Sequence, residues 1–282
     1  MLSRDYADFF DDNELFNNKA LSNLESIRLE GTSIDFDFYE GNIFEKDVVK
    51  NPNHALNVSR EFIDKFFDGK FNFHYNSFLK RASNTAPDDT EFEDADGFVM
   101  PVPGFKRIKR VGVPEATTFN NISVYAHEFG HYLHIREAIK MFDDYLLREV
   151  PSILLQNLFV DFCIKHDYFK ECGDLIFIYT YESVARYLYY EESFADLYNM
   201  SVEDVMINTD FDDLLFTSIY YYGYIYANRL CELYYDDEKR MKRKLASIFN
   251  GAKLTDLLNY YNINMADEAT ADATLKLIKR IK

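Results

Sequence analysis

Tryptophan is absent from the 282-residue sequence, and the chain has only 10 Gly and 6 Pro. Without Trp, the core must be packed by the 26 Phe and 22 Tyr. So few turn-forming residues exclude a turn-rich all-β fold and suit long helices. Cysteine is limited to Cys163, Cys172 and Cys231, an odd set with no metal-ligand spacing. That excludes a disulfide framework and fits a reducing compartment, so a cytoplasmic location is expected. Positive charge is outnumbered, with 31 Lys and Arg against 48 Asp and Glu and a net charge of −17. A phosphate backbone is repelled by such a field, and no nucleic-acid partner is expected. Two short basic runs do not reverse the sign. "KRIKR" (106–110) sits between apparent strands, and "KRMKRK" (239–244) reads as a solvated helix face. Long apolar runs are missing as well. The longest uncharged stretch, Leu214 to Asn228, has 15 residues and is rich in tyrosine. A bilayer needs roughly 20 apolar residues, so no membrane span is expected. The opening "MLSRDYADFFDDNELF" is acidic and interrupted, unlike a signal peptide.

What is present is helical periodicity. Residues 55–82 carry Leu56, Phe62, Ile63, Phe66, Phe67, Phe71, Phe73, Phe78 and Leu79 at helical spacing, with Gly69 marking a break between two helices. The acidic stretch 83–97, with Pro87, reads as an exposed loop. Residues 98–119 alternate Val, Phe and Ile with Pro and Gly, which predicts short extended segments forming a small hairpin. Further helices are expected at about 121–143, 151–166, 173–199, 211–236, 237–250 and 268–281. No internal repeat or low-complexity linker interrupts them. The expected fold is mainly α, with a small β element leading into a histidine-bearing helix.

That helix holds the chemistry. "NNISVYAHEFGHYLH" (120–134) places His127, Glu128, His131 and His134 within eight positions of a chain with six histidines. In a helix, residues 127 and 131 lie one turn apart on one face, so both imidazoles can reach one ion. Glu128 lies beside that face and can meet a water activated by the metal. Zinc lowers the pKa of such a water, and a nearby carboxylate takes its proton during attack on a carbonyl. His134 lies seven residues beyond His127, about 10 Å along the axis at roughly 1.5 Å per residue. A zinc held by the first two histidines at about 2 Å is out of its reach. The metzincin alternative needs a glycine and a returning histidine where this chain has His134 and Glu137. His134 is left as a residue beside the ligands, facing substrate, or packed. The third ligand is sought as a carboxylate from a neighbouring helix. Glu149, in "REVPSILLQNLF" (148–159), precedes Pro151, which either opens a helix at its first turn or kinks one already begun. The competing role for Glu149 is a surface helix cap.

"AHEFGHYLH" followed by "EVPS" resembles the oligoendopeptidase F and thimet oligopeptidase family of zinc peptidases. "LLNYYNINMADEATADATLKLIKRI" near the C-terminus is similar to that family's closing helices. The resemblance covers roughly residues 55–282, most strongly 118–134 and 148–158. It implies a zincin-like helical catalytic domain at 55–282, continuous with a shortened N-terminal helical segment at 1–54. It further implies one zinc ion held by His127, His131 and Glu149, with Glu128 as general base, the gluzincin arrangement. The substrates would be oligopeptides cleaved in a deep channel.

An oxyanion formed in that reaction needs a donor besides the metal. "FTSIYYYGYIYANRL" (216–230) supplies a tyrosine stripe in which 220 and 224, and 222 and 226, share helix faces. Such stripes also pack cores and interfaces. The stripe resembles the family's Y-x-Y segment, which maps the carbonyl-contacting tyrosine to Tyr224, with Tyr222 and Tyr220 behind it. The chain also departs from the family. The interval from His131 to Glu149 is short, Gln156 stands where glutamate is common, and no histidine follows His166. The family's N-terminal half is reduced to about 50 residues, so part of the channel wall is missing. The expected activity is a zinc metalloendopeptidase. The alternatives are a zinc-containing peptide-binding scaffold with little turnover, or a processing peptidase for one protein substrate. A homodimer covering apolar surface left by the short N-terminal region is a further expectation.

Overall fold

Asn51 and Pro52 start the first helix. The Asn51 side chain accepts a hydrogen bond from the His54 N–H at 3.1 Å, and Pro52 occupies the first turn, where its missing N–H costs nothing. The computed structural model describes residues 48–82, 97–102, 105–134, 147–170, 211–263 and 273. Among them are seven helices and one two-stranded sheet: α1 (Pro52–Phe67), α2 (Asn72–Ala82), β1 (Phe98–Val102), β2 (Phe105–Gly112), α3 (Phe119–His134), α4 (Val150–Lys165), α5 (Phe211–Asp236), α6 (Glu238–Ile248) and α7 (Leu254–Tyr260). The fold is mainly α, as the scarcity of Gly and Pro requires.

The expected break at Gly69 is real. Asp68 (φ 51°) and Gly69 (φ 75°) both turn left-handed there, and the Gly69 N–H returns to the Asp64 carbonyl at 2.9 Å. Helix α1 begins at Pro52, a little earlier than periodicity indicated, because the cap lies outside the apolar repeat. The hairpin is also present. β1 and β2 pair antiparallel, with Phe98 opposite Gly112 and Met100 opposite Arg110, and the register slips between Pro101 and Val102. "KRIKR" therefore lies within β2, not between strands as expected. "KRMKRK" falls on α6, where Lys239, Arg240 and Arg243 are exposed and Met241 is buried, a solvated face over an apolar one. Asp237 separates α5 from α6 by accepting from the Arg240 N–H at 3.1 Å. Helix α7 was not expected; at 7 residues it is too short to show a period, and it follows the turn at Gly251 (φ 105°). The helices expected at 173–199 and 268–281, apart from Ala273, and the extension of α3 to 143 lie outside the described residues. So do the loop at 83–96 and nearly all of the 1–54 segment.

Aromatic rings fill the space that Trp would otherwise share. Phe129 on α3 meets Tyr75 and Phe78 of α2, with ring centroids 4.7 and 5.6 Å apart. Phe159 on α4 meets Phe62 of α1 at 5.5 Å and Phe119 of α3 at 6.3 Å. Each such buried ring contributes about 1.5–3 kcal/mol of burial free energy. The Tyr75 hydroxyl is satisfied by Ser59 at 2.7 Å inside this layer. Ile122, Ala126, Phe129 and Leu133 form the apolar stripe that anchors α3. The stripe leaves His127 and His131 on another face, toward α4. Among the described residues, no helix is long and apolar enough to cross a membrane.

Candidate metal centre

The α3–α4 crossing is made possible by Gly130. A Cβ placed there would lie 2.6 Å from the Ser152 Cα, so only glycine lets the two backbones approach this closely. The crossing aligns the first turn of α4 with the histidine face of α3. Pro151 opens α4 in its first turn and does not kink it. Glu149 stands immediately before the helix and makes no side-chain capping bond. It is 2% exposed, so the surface-cap role does not describe it. Its carboxylate turns inward, with Oε2 3.2 Å from His127 Nε2 and 3.0 Å from His131 Nε2. The other oxygen, Oε1, accepts from Arg148 Nε at 3.1 Å. From the far side α5 closes on the same residue. A Cβ on Gly223 would lie 2.8 Å from Glu149 Cβ and 2.7 Å from Ile153 Cδ1. Glu149 is thus held between two glycine-faced helices.

Glu128 is rotated about 100° from His127 on α3 and is 4% exposed. The hairpin lies against it: a Cβ on Gly97, just before β1, would sit 2.8 Å from Glu128 Cγ and 2.9 Å from its Oε1. Its Oε2 is buried without a hydrogen-bond partner among the described residues. His127 Nδ1 lies 3.0 Å from Gln156 Oε1, and Gln156 Nε2 donates to Ser123 Oγ at 3.1 Å.

Charges respond to this enclosure. Burial pushes the Glu128 carboxyl above its ordinary range, more than the two imidazoles pull it down. Burial would also raise Glu149, but the facing His131 and His127 outweigh it and hold the carboxyl well below the usual range. For His127, burial favours the neutral ring, yet Glu149, helped by Glu128 and Gln156, holds the imidazole above its ordinary value.

These atoms fit a metal ion. Among the described residues, Glu149 Oε2 is buried without a hydrogen-bond partner while facing two ring nitrogens. Donors about 2.0–2.1 Å from a tetrahedral zinc stand about 3.3 Å apart, close to these separations. His127, Glu128 and His131 also offer one atom each within 4.8 Å of one another. The buried His–Glu–His group can therefore hold an ion. Glu149 is the better third donor, because its oxygen is the one in direct reach of both nitrogens. Glu128 is left beside the ion's position.

The other expected site residues lie where α3 and α5 put them. His134 closes the described part of α3, one turn past His131 and partly exposed. Tyr222 and Tyr224 are buried on either side of Gly223, and Tyr220 is partly buried, so their helix reaches Glu149 through the glycine between them. Residues that sequence reasoning did not assign also belong to the site: Gly97, Gly130, Gly223, Ser123 and Arg148. Comparison with family models, with curated proteins and with solved structures gives no match.

Proposed function

We propose that this chain is a zinc-dependent metalloendopeptidase of the gluzincin type, with a zincin-like helical catalytic fold, acting on oligopeptides. The observation that carries the reading is the convergence of His127 Nε2 and His131 Nε2 of α3 with Glu149 Oε2 at the start of α4, beside a buried Glu128 oxygen without a hydrogen-bond partner among the described residues. His127, His131 and Glu149 would hold the ion. A zinc ion supplies there a Lewis acid that polarises a carbonyl and activates water. Glu128 is the base: its free Oε2 takes a proton from the attacking water and returns it to the departing amine. Its elevated pKa, caused by burial, brings its proton affinity closer to neutrality than an exposed carboxylate's. Arg148 engages Glu149 Oε1 and so leaves Oε2 as the oxygen turned to the histidines. Tyr224, or its neighbours Tyr222 and Tyr220, donates its O–H to the developing oxyanion. The proposed partner is an extended peptide substrate, with a cytoplasmic location and a homodimer as secondary proposals.

The test is metal analysis of the purified protein followed by digestion of a quenched-fluorescence peptide library. Expected are about one zinc per chain and cleavage abolished by chelation and restored by zinc. Stoichiometric zinc with no cleavage of any peptide would favour the scaffold alternative, and absence of metal binding would end the reading.

A further inference from the structure

A chain of three hydrogen bonds behind His127 decides which of its nitrogens carries the proton. The deduction deepens the metal-site reading and rests on it only for its consequence. Ser123 is 1% exposed, and its Oγ lies 2.8 Å from the Asn120 carbonyl oxygen. A carbonyl only accepts, so the serine proton points at it. Ser123 Oγ then has only lone pairs to offer Gln156, and the Gln156 atom 3.1 Å away must be the donor, Nε2. The opposite end of the amide, Oε1, is turned to His127 Nδ1 at 3.0 Å and can only accept. Nδ1 therefore bears the proton, and in the neutral ring Nε2 keeps its lone pair toward Glu149 Oε2, 3.2 Å away. In that neutral form an acceptor faces an acceptor, and the space between them suits a cation. His131 has no such device: its Nδ1 is buried without a hydrogen-bond partner among the described residues.

We propose that Gln156 is the positioning residue of the site, holding His127 in its Nδ1–H tautomer, with the direction of the amide set by Ser123 and the Asn120 carbonyl. His127 thus meets a metal already in its ligating form, through a neutral amide where a carboxylate would add negative charge. His131 is the internal control, because neither Gln156 nor Ser123 hydrogen-bonds to it among the described residues.

The experiment reads the tautomer directly, by long-range 1H–15N NMR of the imidazoles in metal-free protein at a pH where they are neutral. Zinc affinity is measured separately by chelator competition with zinc alone. In the wild type, His127 is expected as Nδ1–H. Gln156→Leu is expected to shift it toward Nε2–H and to weaken zinc binding about 10–100-fold. Ser123→Ala frees the amide to turn and gives a mixture of tautomers. Gln156→Glu, whose carboxylate can also accept from Nδ1, restores the Nδ1–H form and guards against misfolding of the leucine variant. The His131 pattern stays fixed throughout. An Nε2–H His127 in the wild type, or an unchanged tautomer in Gln156→Leu, overturns the proposal. The tautomer readout needs no metal, so a protein with the expected tautomers that binds no zinc would sustain this inference while removing the peptidase reading.

Discussion

Replacing Gly130 by alanine tests the architecture of the site without touching any group that does chemistry. The added Cβ would lie 2.6 Å from Ser152 Cα, 3.0 Å from its Oγ and 3.1 Å from its N. Carbon atoms settle about 3.5–4.0 Å apart, so α3 and α4 must separate by about 1 Å. Overpacking of this kind costs about 1–3 kcal/mol, offset by about 1 kcal/mol because alanine favours the helix over glycine. The net loss of stability is then about 0–2 kcal/mol, and the variant should fold. The metal centre has no such tolerance. Glu149 precedes Ser152 by three residues and moves with the start of α4, whereas metal–donor distances hold only within about 0.2 Å. Displacing the carboxylate by several times that margin is expected to weaken zinc binding at least ~10²-fold, as much as a supporting-residue change achieves at its upper end. The assay pairs a thermal melt with chelator competition for zinc. Adding Ser152→Gly to Gly130→Ala should not rescue binding, because the nearest obstructing atom is backbone. A folded Gly130→Ala protein with zinc affinity within about threefold of wild type would refute the reasoning.

Glu128→Gln is expected to retain zinc and lose hydrolysis by about 10²–10⁴-fold; peptide cleavage at the wild-type rate would remove Glu128 as base. The same substitution relieves a buried carboxylate whose charged form burial disfavours, so the metal-free protein should be more stable at neutral pH, measured by denaturant unfolding. The metal-free protein should also show a stability optimum on the acid side of neutrality. Glu149 is depressed below its ordinary 4.5, so its contribution is present above that value and lost as pH falls through the depressed one. His127 is raised above 6.5, so its contribution is present below that value and lost as pH rises through the raised one. Glu128, raised above 4.5, likewise loses stability as pH rises. A melting temperature of chelator-treated protein that climbs steadily from about pH 6 to 9 would contradict these signs. Tyr224→Phe removes one hydroxyl and should lower kcat about 10²–10³-fold with zinc affinity unchanged; an unaltered kcat would pass the role to Tyr222 or Tyr220.

The groups at the centre were legible because their spacing is local. His127, Glu128 and His131 declare themselves by the helical repeat, and the helix break at Gly69 by its glycine. Glu149 was legible only with the motif "EVPS", since its burial depends on a crossing that no local pattern encodes. The glycines were not legible as site residues. What each requires is the closeness of a remote atom: Ser152 Cα for Gly130, the Glu149 side chain for Gly223, Glu128 for Gly97. Ser123 was hidden for a similar reason, being a buried serine whose partner Gln156 lies 33 residues away. Helix α7 was missed through brevity, and the basic run of β2 through alternation too short to separate strand from loop.

Those three glycines have a bearing on how the protein tolerates change. Every replacement of glycine adds a Cβ, and at 97, 130 and 223 that first carbon already collides with its neighbour. At 130 the obstacle is backbone, so alanine already disturbs the centre and larger residues disturb it further, whereas at 97 and 223 the obstructing side chains have some room to yield. A saturation screen for loss of function should therefore show 130 as a uniformly dark column, and 97 and 223 darkening with added bulk, alongside the histidines and glutamates. The outline of the centre could then be drawn from a map of intolerance alone, with residues that have no side chain marking three of its walls.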